Sequence, residues 1–516
     1  MAPTTSRRWW ALGAISLAVL AVTLDLTVLT VALPTLAVEL GASEAQLQWF
    51  VTAYTLALVA GMLPAGLIAD RFGRRRLLLA AIVVFGLGSI GCAFAPNPQV
   101  FIAARVVLGL AGAAIIVVAL ASLTVLFDED ERPRAIGIWG AANFIGLPLG
   151  PILGGWILTN AWWGWIFLIN VPVALIAFAA VASLVPESRS AHAPGIDLAG
   201  IALSSIGLVA LMYGVVEAGQ VGWRDPSTVS WLIGGLLILA VFVAWERRLG
   251  SRPDGEPLVD LTLFRTPSYT WGVVCTAFGV FGLFGAMFAL PQYFQAVGGL
   301  DPQGSGLRLL PLVAGLVLGA VSADRIVARI GPKVTAAAGF GVAVVALVVG
   351  SNTSVSSGDA FLAAWTFLLG AGSGLAFATT ASVALVEISP ERSGIAAGLL
   401  QAVTKLGPAI GATVLGSALI AAYQAHLDVT GLPPAAAVVA KDSVFGAIAV
   451  AGQIGSTALV ASAHEAFVAG MHDALLVAAG GAAIGAFLAL AYLPVRSKVT
   501  SSRDAGGTQP HGATAA

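Results

Sequence analysis

Gly66-Leu67-Ile68-Ala69-Asp70-Arg71-Phe72-Gly73-Arg74-Arg75-Arg76 is a short basic turn between two apolar runs, 49–69 and 77–95. About 20 apolar residues suffice for a helix to cross a hydrocarbon core. The stretch therefore predicts a membrane hairpin whose turn faces the cytoplasm, the side on which Lys and Arg collect. Gly66 permits close packing near the end of the second span and Gly73 suits a sharp turn. Asp70 can cap the next helix or pair with Arg71, Arg74, Arg75 or Arg76.

The rest of the chain agrees with that hairpin. Of 516 residues, 58% are hydrophobic and 10% charged, and the mean hydropathy is +0.94. Soluble domains are about 25% charged, so a soluble enzyme is excluded. The 61 glycines follow no Gly-X-Y period, which excludes collagen, and the apolar content excludes intrinsic disorder. Cys92 and Cys275 both lie in apolar runs and read as small buried hydrophobes.

Apolar segments occur near 10–33, 49–69, 77–95, 98–122, 135–158, 165–185, 197–217, 229–246, 269–295, 305–323, 334–350, 360–385, 395–420 and 470–493, which predicts an all-α polytopic membrane protein with fourteen spans. A cleaved signal peptide is the alternative for the first. Its length, its internal Asp25 and the long apolar chain beyond it favour an uncleaved span. With the N-terminus in the cytoplasm, the basic clusters Arg7/Arg8, Arg71 to Arg76, Arg132/Arg134, Arg247 to Arg265, Arg325 to Lys333 and Arg496 to Arg503 all fall inside, together with Arg189 and Arg392. Arg224 and Lys441 stay outside, and Arg308 lies at a boundary. Both termini are thus expected in the cytoplasm. The loops are short except for a basic linker at 247–268 and an outer segment at 424–469, where 443–463 reads equally as loop or as a re-entrant or interfacial helix. The polar tail beyond 495 reads as disordered.

Four places within or beside the spans carry chemistry. Asp25 lies about 12 Å from the outer end of the first span, where an ionisable group costs several kcal/mol in lipid. It either ties helices together or titrates and neutralises a cation. Arg105 enters the fourth span to a matching depth of about 11 Å, with Gly109 and Gly112 supplying a face for close helix approach. The fifth span contains Gly146-Leu147-Pro148-Leu149-Gly150-Pro151-Ile152-Leu153-Gly154-Gly155, where prolines remove backbone donors and glycines admit another helix. Trp162, Trp163 and Trp165 follow at the outer interface.

With these residues in view, the chain resembles the major facilitator superfamily, specifically its fourteen-helix drug:proton antiporter family. The Gly66–Arg76 turn matches the superfamily's signature hairpin, and Arg105 with Gly109 matches its fourth-span basic motif. Gly146 to Gly155 matches the antiporter motif, and Leu24 to Pro34 matches the first-span motif. Leu108 departs from a common glutamine, and Gly164 from a common arginine. The resemblance implies an amino-terminal six-helix bundle at 1–190, an inserted helix pair and linker at 191–268, a carboxy-terminal bundle at 269–495 and a tail at 496–516. A faint second-half hairpin survives as Asp324, Arg325, Arg329, Gly331 and Lys333, as expected of related halves.

The reading that follows is alternating access with export of a hydrophobic, cationic compound, driven by protons bound at Asp25 beside Arg105. A cytoplasmic lock would form at the hairpin, with Asp128 and Glu131 as further partners for its arginines. Gln401 and Lys405 in span thirteen support either the cavity or the bundle. An uptake symporter is the close alternative, and a channel or structural protein the distant one. No phosphate-cradling loop implicates ATP, no histidine has metal-ligand spacing, and no cofactor or enzymatic role is implied. The expected partners are protons, the cargo and membrane lipid, with no nucleic acid and a monomer as the working unit. The expected location is a bacterial inner membrane.

Overall fold

The computed structural model describes residues 5–42, 44–128, 131–189, 197–252, 257–259, 261–388 and 393–494. The polar tail and residue 392 lie outside them. Helices account for nearly all the described residues, because a backbone crossing lipid has to close its own hydrogen bonds. In chain order they are α1 (Thr5–Glu39), α2 (Glu44–Phe72), α3 (Arg74–Ala93), α4 (Pro98–Leu126), α5 (Arg132–Asn160), the single turn α6 (Trp165–Leu168) and α7 (Asn170–Leu184). Next come α8 (Leu198–Val221), α9 (Pro226–Gly250), α10 (Pro267–Gln292), the short α11 (Pro302–Arg308), α12 (Leu310–Gly350), α13 (Asp359–Val386) and α14 (Ser393–His426). The last three are α15 (Pro434–Asp442), α16 (Val444–Ile454) and α17 (Thr457–Tyr492). Their starts carry local signals. Asn97 Oδ1 accepts the Val100 amide at 2.9 Å ahead of Pro98, Asp225 Oδ1 accepts that of Ser227 at 2.9 Å ahead of Pro226, and Asp301 Oδ1 that of Gly304 at 2.7 Å ahead of Pro302.

Among the described residues, twelve helical stretches are long and apolar enough to cross a membrane, against the fourteen expected from the sequence. The two counts part in two places. Segment 135–158 lies in α5, a 29-residue helix outside the twelve, and segments 305–323 and 334–350 fall within one 48-residue apolar stretch, Gln303–Gly350. That stretch is broken at Gly331, whose φ of 79° and ψ of 160° are not helical. The outer segment is also more ordered than a loop. α15 and α16 fold there, α16 burying Val444, Ala447, Val450 and Ala451 and packing on α17, which itself begins at Thr457, well before 470.

α1 packs on α5 and α7, α2 on α4, and α3 on α4 and α7. α10 packs on α13, α14 and α17, and α12 on α13 and α17. α2 meets α14 and α5 meets α12 and α13 across the middle, while α8 and α9 pair with each other and α8 leans on α2 and α14. Deepest are α4, buried without interruption from Ala111 to Thr124, and α13, buried likewise from Gly372 to Leu385. The large apolar side chains left exposed, including Leu87, Ile176, Leu237 and Phe487, cover the outside of the bundle, where lipid is the natural solvent.

Candidate transport site

The sequence places Asp25 and Arg105 at similar depth, and the fold brings them into contact. Arg105 Nη1 donates to Asp25 Oδ2 at 2.5 Å, and neither side chain is exposed. Each has further support. Arg105 Nε donates to the Phe50 carbonyl at 2.9 Å, its guanidinium lies 4.3 Å from the Tyr54 ring centroid, and Asn170 Nδ2 donates to Asp25 Oδ1 at 3.1 Å. Further hydrogen bonds offset the cost of burying an ion pair; both carboxylate oxygens accept one here, whereas Arg105 Nη2 is buried without a partner. Asn170 is absent from the sequence motifs. A neutral amide at the start of an apolar segment carries no signal that separates it from an interfacial residue.

Glycine makes the approach possible. A Cβ at Gly109 would lie 2.4 Å from the Tyr54 carbonyl oxygen, so α2 and α4 touch backbone to backbone where Tyr54 faces Arg105. On α5 the same device operates against α1. A Cβ at Gly150 would sit 2.0 Å from Thr27 Oγ1, and Thr27 Oγ1 donates to the Gly146 carbonyl at 3.0 Å. Gly154 also faces α1, at Val28, whereas Gly155 faces open space. The side chains of Pro148, Pro151 and Pro34 fall outside the described residues. Leu108 is buried against Gly88 of α3, and the Trp162 ring fills the room a side chain at Gly164 would need.

Beside the pair lies a cavity of about 280 Å³, just below the ~300–1,000 Å³ common for small-molecule sites. Helices α1, α2, α4, α5, α8, α10, α13 and α14 all contribute to its wall. Tyr54, Trp139, Phe284 and Phe377 give it an aromatic lining, and Gln401 and Lys405 both line it. Asp25 and Arg105 do not. Tyr54 connects the two regions, since it lines the cavity, stacks on Arg105 and donates through its hydroxyl to the Val22 carbonyl at 3.1 Å. Nothing in the sequence separates Tyr54 or Trp139 from ordinary core aromatics.

The Gly66–Arg76 hairpin is a tight, buried structure. Gly66 is buried in the last part of α2, and Gly73 adopts φ 107°, turning α2 directly into α3. A side chain there would be strained, and a Cβ would also meet Glu187 Oε1 at 2.6 Å. Asp70, fully buried, accepts from Arg74 Nη2 at 2.7 Å and from the Ile395 backbone amide, at the start of α14, at 3.1 Å. Glu187 accepts the Arg75 amide at 3.1 Å and lies 3.7 Å from Arg76 Nε, while Arg75 also donates to the Ala182 carbonyl. Arg71 is half-buried, with its ring neighbour Phe72 5.6 Å away.

Asp128 and Glu131 require a correction. They pair with Arg8, at 3.2 and 2.8 Å, and not with the hairpin's arginines, because the start of α1 lies against the end of α4. Among the described residues, the acid beside Arg75 and Arg76 is Glu187, a loop residue that no sequence spacing picks out. Nearby, Arg132 donates to the Thr124 carbonyl at 3.0 Å and to that of Leu385 on α13 at 3.5 Å. In the second-half hairpin, Asp324 Oδ1 is buried without a hydrogen-bond partner, and Arg325 and Arg329 are exposed.

Among the described residues, no group of three or more His, Cys, Asp or Glu side chains gathers to hold a metal. Residues 15–412 match the family model of the Major Facilitator Superfamily. The chain is 34% identical over 479 residues to the multidrug resistance protein Stp of Mycobacterium tuberculosis, covering 89% of this chain and 87% of that one. It is 31% identical over 497 residues to the tetracenomycin C resistance and export protein of Streptomyces glaucescens, covering 94% and 91%. In fold it is similar to the human organic anion transporter MFSD10 (TETRAN), with a TM-score of 0.61 at 15% identity, covering 94% of this chain and all of that one, and to the proton:xylose symporter XylE, with a TM-score of 0.61 at 16% identity, covering 95% and 97%. The polytopic fold and these bacterial relatives place the protein in a bacterial inner membrane, as a transporter and not an enzyme. With a family match across most of its length and full-length relatives above 30% identity, the chain belongs to the major facilitator superfamily.

Proposed function

We propose that the chain exports small hydrophobic molecules in exchange for protons, by alternating access. The observation that carries this reading is the buried Asp25–Arg105 pair beside, but not within, an apolar cavity. Protonation of Asp25 removes the charge that holds Arg105. The guanidinium then redistributes between the Phe50 carbonyl and the Tyr54 ring, and the Tyr54 face of the cavity responds. A proton from the outer side thereby biases the carrier between states that differ in their contacts, which is what a ligand must do to shift a conformational equilibrium.

The names of the bacterial relatives, which speak of multidrug resistance and of export, support the outward direction. The chain is proposed to cross fourteen times. α12, at 41 residues and about 62 Å, is twice the length one crossing needs and breaks at Gly331, and α5 crosses as well. Residues 1–190 and 269–495 form the two moving bundles, with the pair in 191–268 inserted between them and both termini cytoplasmic. The Asp70–Ile395 and Arg132–Leu385 hydrogen bonds join those bundles at the cytoplasmic end and act as the lock that opens when the carrier faces inward.

The test is accumulation in inverted membrane vesicles with an acidic lumen. Export by exchange predicts concentration of a hydrophobic cargo inside the vesicles, abolished by a protonophore. Uptake symport predicts that the same gradient drives cargo out, and a uniporter that it changes nothing.

A further inference from the structure

Lys405 lies on α14 in the wall of the cavity, with Gln401 one turn before it and Thr404 next to it in the chain. Its ammonium has no hydrogen-bond or ion-pair partner among the described residues, whose ion pairs are Arg8 with Asp128 and Glu131, Asp70–Arg74, Arg76–Glu187, Asp25–Arg105 and Arg308–Asp359. Among the described residues, no Asp or Glu lines the cavity. The hydroxyl protons around it are already spent. Thr23 donates to Asn143 Oδ1 at 2.5 Å, Thr55 to the Val51 carbonyl at 3.1 Å, Thr404 to the Gln401 carbonyl at 3.0 Å and Tyr54 to the Val22 carbonyl. Trp139, also in the wall, buries an indole N–H with no acceptor. With its oxygen taken by Thr23, Asn143 has its amide N–H groups left to offer.

The cavity therefore presents unspent donors, one of them a full positive charge, inside an aromatic and aliphatic wall. A cation placed there meets repulsion poorly screened by its surroundings, and an anion meets attraction. We propose that the cavity takes an apolar aromatic molecule bearing one anionic oxygen group, a carboxylate or a phenolate, seated against Lys405. This rests on reading the cavity as the transport site, and it replaces the cationic cargo expected from sequence. The rings of Tyr54, Trp139, Phe284 and Phe377 hold the apolar body, and Lys405 fixes the end that carries the charge.

Three probes of one shape separate charge from hydrophobicity: 2-naphthoate, 2-naphthamide and 2-naphthylmethylammonium. Their binding to the purified full chain in a neutral detergent is measured by calorimetry. The wild-type protein should bind naphthoate at least about tenfold more tightly than the ammonium probe, K405R should keep that order, and K405E should invert it. Equal or tighter binding of the ammonium probe by wild type, an unchanged order in K405E, or no naphthoate binding at all overturns the proposal. If K405E does not fold, the wild-type order and K405R decide. Inverted vesicles separate this inference from the export reading. If naphthoate binds as expected but no probe accumulates under the proton gradient, recognition stands and export fails. If the gradient concentrates the ammonium probe and naphthoate neither accumulates nor competes, export stands and anion recognition fails.

Discussion

Asp25 with Arg105, and Lys405, are membrane-embedded charges housed in opposite ways. The first two are fully buried, touch each other, and are supported by Phe50, Tyr54 and Asn170, with Arg105 Nη2 alone left without a hydrogen bond. Lys405, in the wall of an apolar cavity, has no partner among the described residues. A charge that must survive in lipid by itself needs a structure built around it, whereas a charge kept for a ligand has to be left unpaired. On the proposed mechanism the pair serves the carrier's internal switching and the lysine its cargo.

The largest effect that could break this division is in D25N. The change keeps the shape and loses the exchangeable proton, so proton-driven export should fall by about a hundredfold or more, as when a positioned proton-transfer group is lost. Export by D25N near the wild-type rate, measured in vesicles at matched protein abundance, would return Asp25 to a purely structural role.

Next is R105A. Removing one partner of a buried pair costs about 3–5 kcal/mol, because the other is left uncompensated. Thermal unfolding in detergent should show that loss for R105A, and the D25N/R105A double variant should lose less than the sum of the two single changes. Strict additivity would mean the two residues act apart.

The two hairpins give a sharper, smaller contrast. Asp70 is held by Arg74 and by the Ile395 amide across the bundle interface, whereas Asp324 has an unpartnered carboxylate oxygen. D70N weakens a charge-assisted bond worth about 1.5–3 kcal/mol and should slow turnover roughly tenfold while cargo binding persists. D324N should change the rate less than about threefold, since it breaks no bond of comparable strength. Equal loss in both would show that the amino-terminal lock is not special. Smaller than D70N should be N170A, which removes one of the Asp25 supports and leaves Arg105 in place. Its export rate should drop by less than about tenfold, the cost of one such hydrogen bond.

How far the site could be read in advance depended on whether a residue was unusual in its surroundings. Asp25, Arg105 and Lys405 stand out because ionisable groups are rare in apolar spans, and Gly146 and Gly150 because glycine spacing implies close helix approach. Depth was legible because helix rise is constant. Rotation was not, so the sequence could set Asp25 level with Arg105 without showing contact. Helices buried on several faces, such as α4, lose the periodicity that would reveal their orientation. Tyr54 and Trp139 were hidden among other aromatics, Asn170 among interfacial residues, and Glu187 in a loop whose partner is more than a hundred residues away. Asp128 and Glu131 pair with Arg8 because a place at the end of the fourth span says nothing about which basic group arrives in space.

The central claim is that the Asp25–Arg105 pair couples protons to movement of cargo. It is tested most directly in proteoliposomes by comparing, for D25N and wild type, accumulation driven by a pH gradient with exchange of labelled for unlabelled cargo at uniform pH. The account predicts that D25N retains exchange and loses gradient-driven accumulation. Accumulation by D25N equal to wild type, or loss of both activities in a folded protein that still binds cargo, would contradict it.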